Sequence, residues 1–237
     1  MSLAPALLAI ETAGAACSAA VVLGAGVVAA ERRSLQHGHA EVLLPMIERV
    51  MAEAGLAAGD LDIVAAAVGP GGFTGIRVGL AAAQGIALAA GAGGVGVSSF
   101  EAVAAVVADA ICSDDRALLV ALDSRRDDLY VQLFAPGSCV PLAPAQSVLP
   151  AALADCVAAI AGRRPLRVAG DAAAAAVQAL AQSGMAAALS DAAPDASGVA
   201  AAALGRLRRG ERAAALRPFY LRPPDVSLPR QPTTGFR

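Results

Sequence analysis

An α/β fold built from two similar units is predicted by three features of this chain. Apolar runs of strand length alternate with longer runs of helical period. The order is three strands, a helix, a strand, a helix and a further helix, and it occurs twice. The run Leu61 to Val68 is unbroken and apolar, as a buried strand is, and leads through a glycine-rich turn into a helical run. Finally, 237 residues with 57% hydrophobic content suffice for one large core or two modest ones. Two such units imply a cleft between them.

In chain order, Leu7 to Glu11 is a short apolar strand. Ala16 to Leu23 and Gly26 to Arg33 are two more, separated by Gly24-Ala25-Gly26, and spacing this tight predicts a β-meander. A helix follows. Leu43, Met46, Ile47, Val50, Met51 and Ala54 share one face, with Glu41, Glu48 and Glu53 off it. Pro45 is expected to start or kink this helix, and Gly55 ends it. After the strand Leu61 to Val68, the run Thr74 to Ala90 is a helix whose polar groups are Arg77 and Gln84. A helix apolar all round needs partners on both sides. Gly79, Ala82, Ala83 and Ile86 form a smooth face, expected to look outward, where another backbone can approach.

Gly91-Ala92-Gly93-Gly94-Val95-Gly96 fits G-x-G-x-x-G, but here the glycines end a helix and enter the short strand Val95 to Val97. A dinucleotide fingerprint instead leaves a strand and opens a helix. Phe100 to Cys112 is a helix. The second unit starts at Arg116. It comprises strand Ala117 to Leu122, polar turn Asp123 to Asp128, and strand Leu129 to Phe134. A loop from Pro136 to Pro150 leaves room for a third strand. Helix Ala151 to Ala161, strand Leu166 to Ala169, helix Ala172 to Ser183 and helix Gly198 to Arg209 complete it. Domain boundaries follow at 1–112 and 113–222, with a proline-rich tail, 223–237, expected to be extended and mobile.

The central turn is Gly69-Pro70-Gly71-Gly72-Phe73-Thr74-Gly75-Ile76-Arg77. Gly69, Gly71, Gly72 and Gly75 are expected at positions of positive φ, Pro70 fixes φ, and Thr74 is expected to cap the helix. Two readings stand: a strand-to-helix turn, which the residues alone favour, or an anion site made by free amides and the helix dipole. It is not a phosphate loop of the Walker A kind, since the chain has no lysine.

Composition excludes several classes. A net charge of −2, with all 18 basic residues arginine, argues against a primary nucleic-acid surface. Cys17, Cys112, Cys139 and Cys156 are scattered, which favours reduced thiols in a cytosol over a disulfide framework or zinc site. No apolar run of membrane-spanning length is free of Gly or charge, and the first ten residues carry no basic segment as a signal peptide would. His37 and His39 are the only histidines. Their i, i+2 spacing does not face one metal ion, so a solvated or capping role is expected. No Ser-His-Asp or Cys-His arrangement can be assembled from them. The acidic pairs Asp114-Asp115 and Asp127-Asp128 read as exposed turns, and Arg206, Arg208, Arg209, Arg212 and Arg217 as cations near a helix C-terminus.

Several stretches match one known family. They are Leu8-Ala9-Ile10-Glu11-Thr12-Ala13, His39 with Leu43-Leu44-Pro45-Met46-Ile47, Gly69 through Gly79, Gln84-Gly85-Ile86-Ala87, and Gly96-Val97-Ser98-Ser99-Phe100-Glu101-Ala102. Weaker matches are Asp123-Ser124-Arg125-Arg126 with Tyr130, and Pro218-Phe219-Tyr220-Leu221-Arg222. The chain resembles the TsaB (YeaZ) family of the actin/hexokinase-like superfamily, involved in making N6-threonylcarbamoyladenosine at adenosine 37 of tRNA. The resemblance implies two duplicated actin-like, ribonuclease H-like units with mixed five-stranded sheets flanked by helices.

The family's catalytic paralogue, TsaD, carries H-x-E-x-H with two metal-binding histidines. Ser99 and Val103 stand at those positions here, and neither replaces an imidazole. The paralogue's second-unit phosphate loop is replaced by Asp123-Ser124-Arg125-Arg126, and its acidic pair after the first strand by Ala15-Ala16. The resemblance therefore implies a non-catalytic scaffold with no catalytic residue, metal or cofactor of its own. Nucleotide binding at the complex interface stays open, as does weak binding through Asp171 and Asp195. The implied partners are TsaD as a heterodimer and the ATPase TsaE, with a homodimer when alone. The complex would reach tRNA indirectly, in the cytoplasm and without a membrane. The expected interface is Leu43, Met46, Ile47, Val50, Arg77, Gly79, Ala82, Ala83 and Ile86. The competing readings are an independent ATPase or kinase of the superfamily, a glycoprotease-like enzyme, or a direct tRNA binder.

Overall fold

The computed structural model describes residues 5–24, 26–35, 37–110, 115–211 and 214–222; the proline-rich tail, Cys112, Asp114 and Arg212 lie outside them. The first unit runs β1 (Ala6–Glu11), β2 (Ala16–Leu23), β3 (Gly26–Ser34), α1 (His39–Glu53), β4 (Ile63–Gly69), α2 (Phe73–Ala90), β5 (Gly93–Ser98) and α3 (Ser99–Ala110). The second repeats it with β6 (Ala117–Asp123), β7 (Leu129–Phe134), β8 (Gln146–Val148), α4 (Leu153–Ala161), β9 (Leu166–Ala169), α5 (Ala173–Gln182), β10 (Ala187–Leu189) and α6 (Ala196–Arg208). The sheets order as β3-β2-β1-β4-β5 and β8-β7-β6-β9-β10, so each unit follows one plan. In each, the first three strands are antiparallel, and the first strand pairs parallel with the fourth. β1 is buried along its whole length, as a central strand with cover on both faces must be.

The two units exchange helices. Phe100, Val103, Ala104 and Val107 of α3 pack against Leu118, Val120, Leu122, Tyr130 and Phe134 of the second sheet. Val199, Ala200, Ala203 and Leu204 of α6 join the first core. The strands thus divide between Ser98 and Ala117, while α6 and the segment 214–220 lie on the first unit. The α3 start is locked by a capping box: Glu101 N donates to Ser98 Oγ at 3.1 Å, and Ser98 N donates to Glu101 Oε2 at 3.0 Å. Glu101 also accepts from Arg206 of α6, which donates to the Gly96 carbonyl at 3.1 Å as well. Arg206 is therefore an inward tie between α6, β5 and α3, beyond a cation near a helix end. Arg206→Met is expected to cost about 2 kcal/mol, read by urea denaturation, because Glu101 then loses a half-buried partner.

Three local expectations are corrected. Thr74 does not cap α2; the helix begins at Phe73 after Gly72, with no side-chain cap. α1 begins at His39 and continues through Pro45 rather than starting there. Of the turn glycines, Gly69 is the one with positive φ, at 103°. Gly71 and Gly75 are instead required by close approach: a Cβ on either would strike the backbone carbonyl of Ala13 or Thr12. At Gly72 a Cβ meets ordinary contact at 3.5 Å, and its φ is −63°. The turn is thus set by one left-handed residue and two glycines pressed against the chain that follows β1.

α2 is long and apolar enough to cross a membrane by length and composition. In the fold one face of it is buried against the first sheet, through Gly75, Ile76, Gly79, Leu80, Ala83 and Ala87, and the other lies at the surface.

Candidate functional site

Two regions carry the candidate chemistry: the cleft between the sheets, and the outer face of α1 and α2.

Glu11 ends β1 at the floor of the cleft and is fully buried. Its Oε1 accepts from the Ala13 and Gly14 amides at 2.7 and 3.1 Å, while Oε2 has no partner among the described residues. Burial raises its pKa from 4.5 to about 7, against the pull of those two amides, and Asp171 and Asp195 push it further up. Asp171 comes from the second unit; a Cβ on Gly14 would lie 3.6 Å from Glu11 Oε2 and 3.8 Å from Asp171 Oδ2. Asp171 is itself raised by burial, against the pull of the Asp123 amide, with the Asp123 carboxylate adding a smaller push upward. Asp195 caps α6, accepting from Gly198 N at 2.7 Å.

The turn after β6 closes on itself. The Asp123 amide donates to Asp171 Oδ1 at 2.9 Å, the Arg125 amide to Asp123 Oδ1 at 2.8 Å, and the Arg126 amide to Ser124 Oγ at 3.2 Å. A phosphate-cradling loop keeps such amides free; here carboxylates and a hydroxyl consume them. Ser99, at the start of α3, is buried, and its hydroxyl has no partner among the described residues. Val103 is buried in the core between α3 and the second sheet. Among the described residues, no group of three or more His, Cys, Asp or Glu is placed to hold a metal ion.

The mouth of the cleft is an open space of about 470 Å³ flanked by the first turns of α1 and α2, Thr12 and Arg125. His39 donates to the Ala16 carbonyl, and burial, then Arg125, lower its pKa. The histidine pair stays apart in role: His39 is tied to β2, and His37 is exposed.

The expected interface residues divide. Leu43, Met46, Val50, Gly79 and Ala83 are buried in the chain's own core, so they cannot form an outward face. The reason is the helical stripe itself: α1 and α2 bury their periodic apolar positions against their own sheet first. A Cβ on Gly79 would strike the Thr12 hydroxyl. Ile47 lines the edge of an apolar groove of about 320 Å³ with Met51, Leu56, Leu61 and Ile86. Ala82 and Ile86 are half-buried and Arg77 exposed. The outward apolar residues that the sequence reading missed are Leu44, Phe73 and Leu88, the last 86% exposed. For Phe73 and Leu88 the signal was present, in that α2 is apolar on every face; Leu44 lies on α1, outside its buried stripe.

The tRNA N6-adenosine threonylcarbamoyltransferase (TsaD) family model matches residues 26–228. The tRNA threonylcarbamoyladenosine biosynthesis protein TsaB of Haemophilus influenzae is 34% identical over 124 residues, 52% of this chain and 51% of that protein. The Escherichia coli protein of the same name is 38% identical over 98 residues, 41% and 42% of the two chains. The chain thus spans about half the length, or less, of these curated relatives. The solved structure of YeaZ from Pseudomonas aeruginosa superposes with a TM-score of 0.73 at 25% identity, covering 92% of this chain and 100% of that one. Two mixed five-stranded sheets flanked by helices fit the actin-like fold, and the chain belongs to the tRNA N6-adenosine threonylcarbamoyltransferase family, in its TsaB (YeaZ) branch.

Proposed function

We propose that the chain is a non-catalytic subunit of the assembly that makes N6-threonylcarbamoyladenosine in tRNA. It binds and activates the catalytic homologue TsaD through the outer face of α1 and α2. Alone, it pairs with a second copy through the same face. The ATPase TsaE joins the assembly, tRNA is met through the complex, and the work is done in the cytoplasm. The observation that carries this reading is the closed turn Asp123 to Asp128, whose amides are consumed by Asp171, Asp123 and Ser124. Asp123 and Asp171 line the cleft there beside Arg125, and no residue in it is given a catalytic, metal or cofactor role. The exposed Leu44, Phe73 and Leu88, spread along α1 and α2, are the apolar groups that a partner on this face would cover.

The test is light scattering after size exclusion, with the chain, TsaD of the same cell, and their mixture. A stoichiometric complex is expected. Leu44→Arg and Leu88→Arg are each expected to abolish it with the melting temperature unchanged, because both side chains point away from the core. No complex, or a complex indifferent to both changes, overturns the assignment.

A further inference from the structure

After α6 the chain returns as a strap, residues 214–222, that lies along the first unit and ends on the second. Gly96 N donates to the Ala214 carbonyl at 2.8 Å, Gln84 Nε2 to the Leu216 carbonyl at 2.7 Å, and Phe219 N to the Val68 carbonyl at 2.8 Å. The missing side chain of Gly96 makes room for it, since a Cβ there would strike the Ala215 carbonyl. Leu216 is buried in the first core. The strap is thus seated on β4, β5 and α2 as far as Phe219.

The next three residues hold on to both units. Tyr220 stacks on Phe73, the first residue of α2, with ring centroids 5.3 Å apart. Its hydroxyl accepts from Arg77 Nε at 3.2 Å, and the Arg77 guanidinium carbon lies 3.7 Å from the centre of the Phe73 ring. Leu221 packs against the core between α3 and the second sheet. Arg222 pairs at 2.9 Å with Asp128 of the second unit, a buried carboxylate that also accepts from Ser124 and Ser147. Breaking that pair leaves a buried charge without its counter-ion, so the strap end is firmly anchored. At the other hold, the first turn of α2 has no side-chain cap, and Phe73 belongs to the exposed apolar residues of the α1–α2 face. The stack on Tyr220 and the contact with Arg77 hold it instead.

We propose that the strap couples the second unit to the α1–α2 face: Tyr220 positions Phe73 and Arg77 for a partner, and the Arg222–Asp128 pair keeps Tyr220 in place. The inference rests on the binding role proposed above and adds a control to it. The two arrangements are the strap end seated, with Asp128 paired, and the strap end released. In the released form Phe73 and Arg77 regain rotamer freedom, which association must remove again at a cost in affinity. The effect is the same whether TsaD or a second copy covers the face.

The test measures dissociation constants for TsaD and for self-association at a temperature where melting curves show every variant folded. Tyr220→Ala is expected to weaken both associations about tenfold. Tyr220→Phe should recover most of that loss, because the stack survives. Arg222 and Asp128 belong to neither α1 nor α2, yet Arg222→Ala and Asp128→Asn are each expected to weaken both associations about threefold. Asparagine keeps an oxygen for Ser124 and Ser147, so that variant removes the ion pair alone. In a Tyr220→Ala background, Arg222→Ala is expected to add nothing, since its effect runs through that ring. Unchanged affinity in Arg222→Ala and Asp128→Asn overturns the coupling while the binding role stands. Losses that multiply in the double variant overturn it too, because the two residues then act separately. If the natural chain binds neither TsaD nor itself, the binding role and its control fall together.

Discussion

Gly79→Ala is expected to destabilise the chain by about 3 kcal/mol, while Gly85→Ala on the same helix is expected to stabilise it by about 0.5–1 kcal/mol. At Gly79 the new Cβ would strike the Thr12 hydroxyl, which donates to the Gly75 carbonyl at 2.8 Å in the core. The substitution must displace that hydroxyl, breaking a buried hydrogen bond and overpacking a contact between α2 and β1. At Gly85 nothing lies within 4 Å of the added methyl, and the backbone is ordinary helix. Only the intrinsic preference for alanine over glycine remains there. Urea denaturation of the two variants decides the signs. A Gly79→Ala protein as stable as the natural one would mean that α2 does not sit on Thr12 as described. By the same geometry, Gly79→Arg should unfold the first unit rather than detach a partner.

Stability is expected to fall as pH rises from 5 to 8, by up to about 3 kcal/mol, and Glu11→Gln is expected to remove most of that fall. Glu11 is raised from 4.5 to about 7 in the folded chain by burial. Between those values the folded chain holds a proton that the unfolded chain has released. The contribution is complete below pH 4.5 and lost as pH rises through about 7. A displacement of that size corresponds to about 3 kcal/mol. Asp171, raised in the same sense, adds to the slope. Asp128 is lowered, with hydrogen bonds from Ser147 and Ser124 outweighing its burial, so it acts at acid pH and in the opposite direction. Glutamine keeps an oxygen for the Ala13 and Gly14 amides and carries no charge. The variant should match the natural chain at pH 5 and exceed it by about 2–3 kcal/mol at pH 8. Parallel stability curves for the two proteins would place the pH response elsewhere.

Most of the strand and helix order was legible because its elements are apolar runs of distinct period. β10 was not: Ala187 to Leu189 is a three-residue edge strand, half-buried at most, and leaves no pattern. The capping box of α3 is written in the sequence as Ser98-x-x-Glu101, and the start of α6 as Asp195. The orientation of α2 was harder. Small residues such as Gly79 and Ala83 permit close approach on either side, and only Thr12, distant in sequence, decides that the approach is inward. Glu11 was visible as the polar end of an apolar strand, yet its burial depends on α6 and the β9–α5 turn closing over it from the second unit. Arg77 stood out as the single charge on α2, while its stacking on Phe73 and Tyr220 required the return of the chain more than 140 residues later.

As proposed above, this chain supplies an interface and not a catalytic centre. Threonylcarbamoyl transfer to tRNA should be measured with the chain alone, TsaD alone, and the two together with TsaE, under the same substrates and nucleotide. No turnover is expected from the chain alone, and a gain is expected on mixing that disappears with Leu44→Arg. Turnover by the purified chain alone, lost in Glu11→Gln or Asp171→Asn, would contradict it.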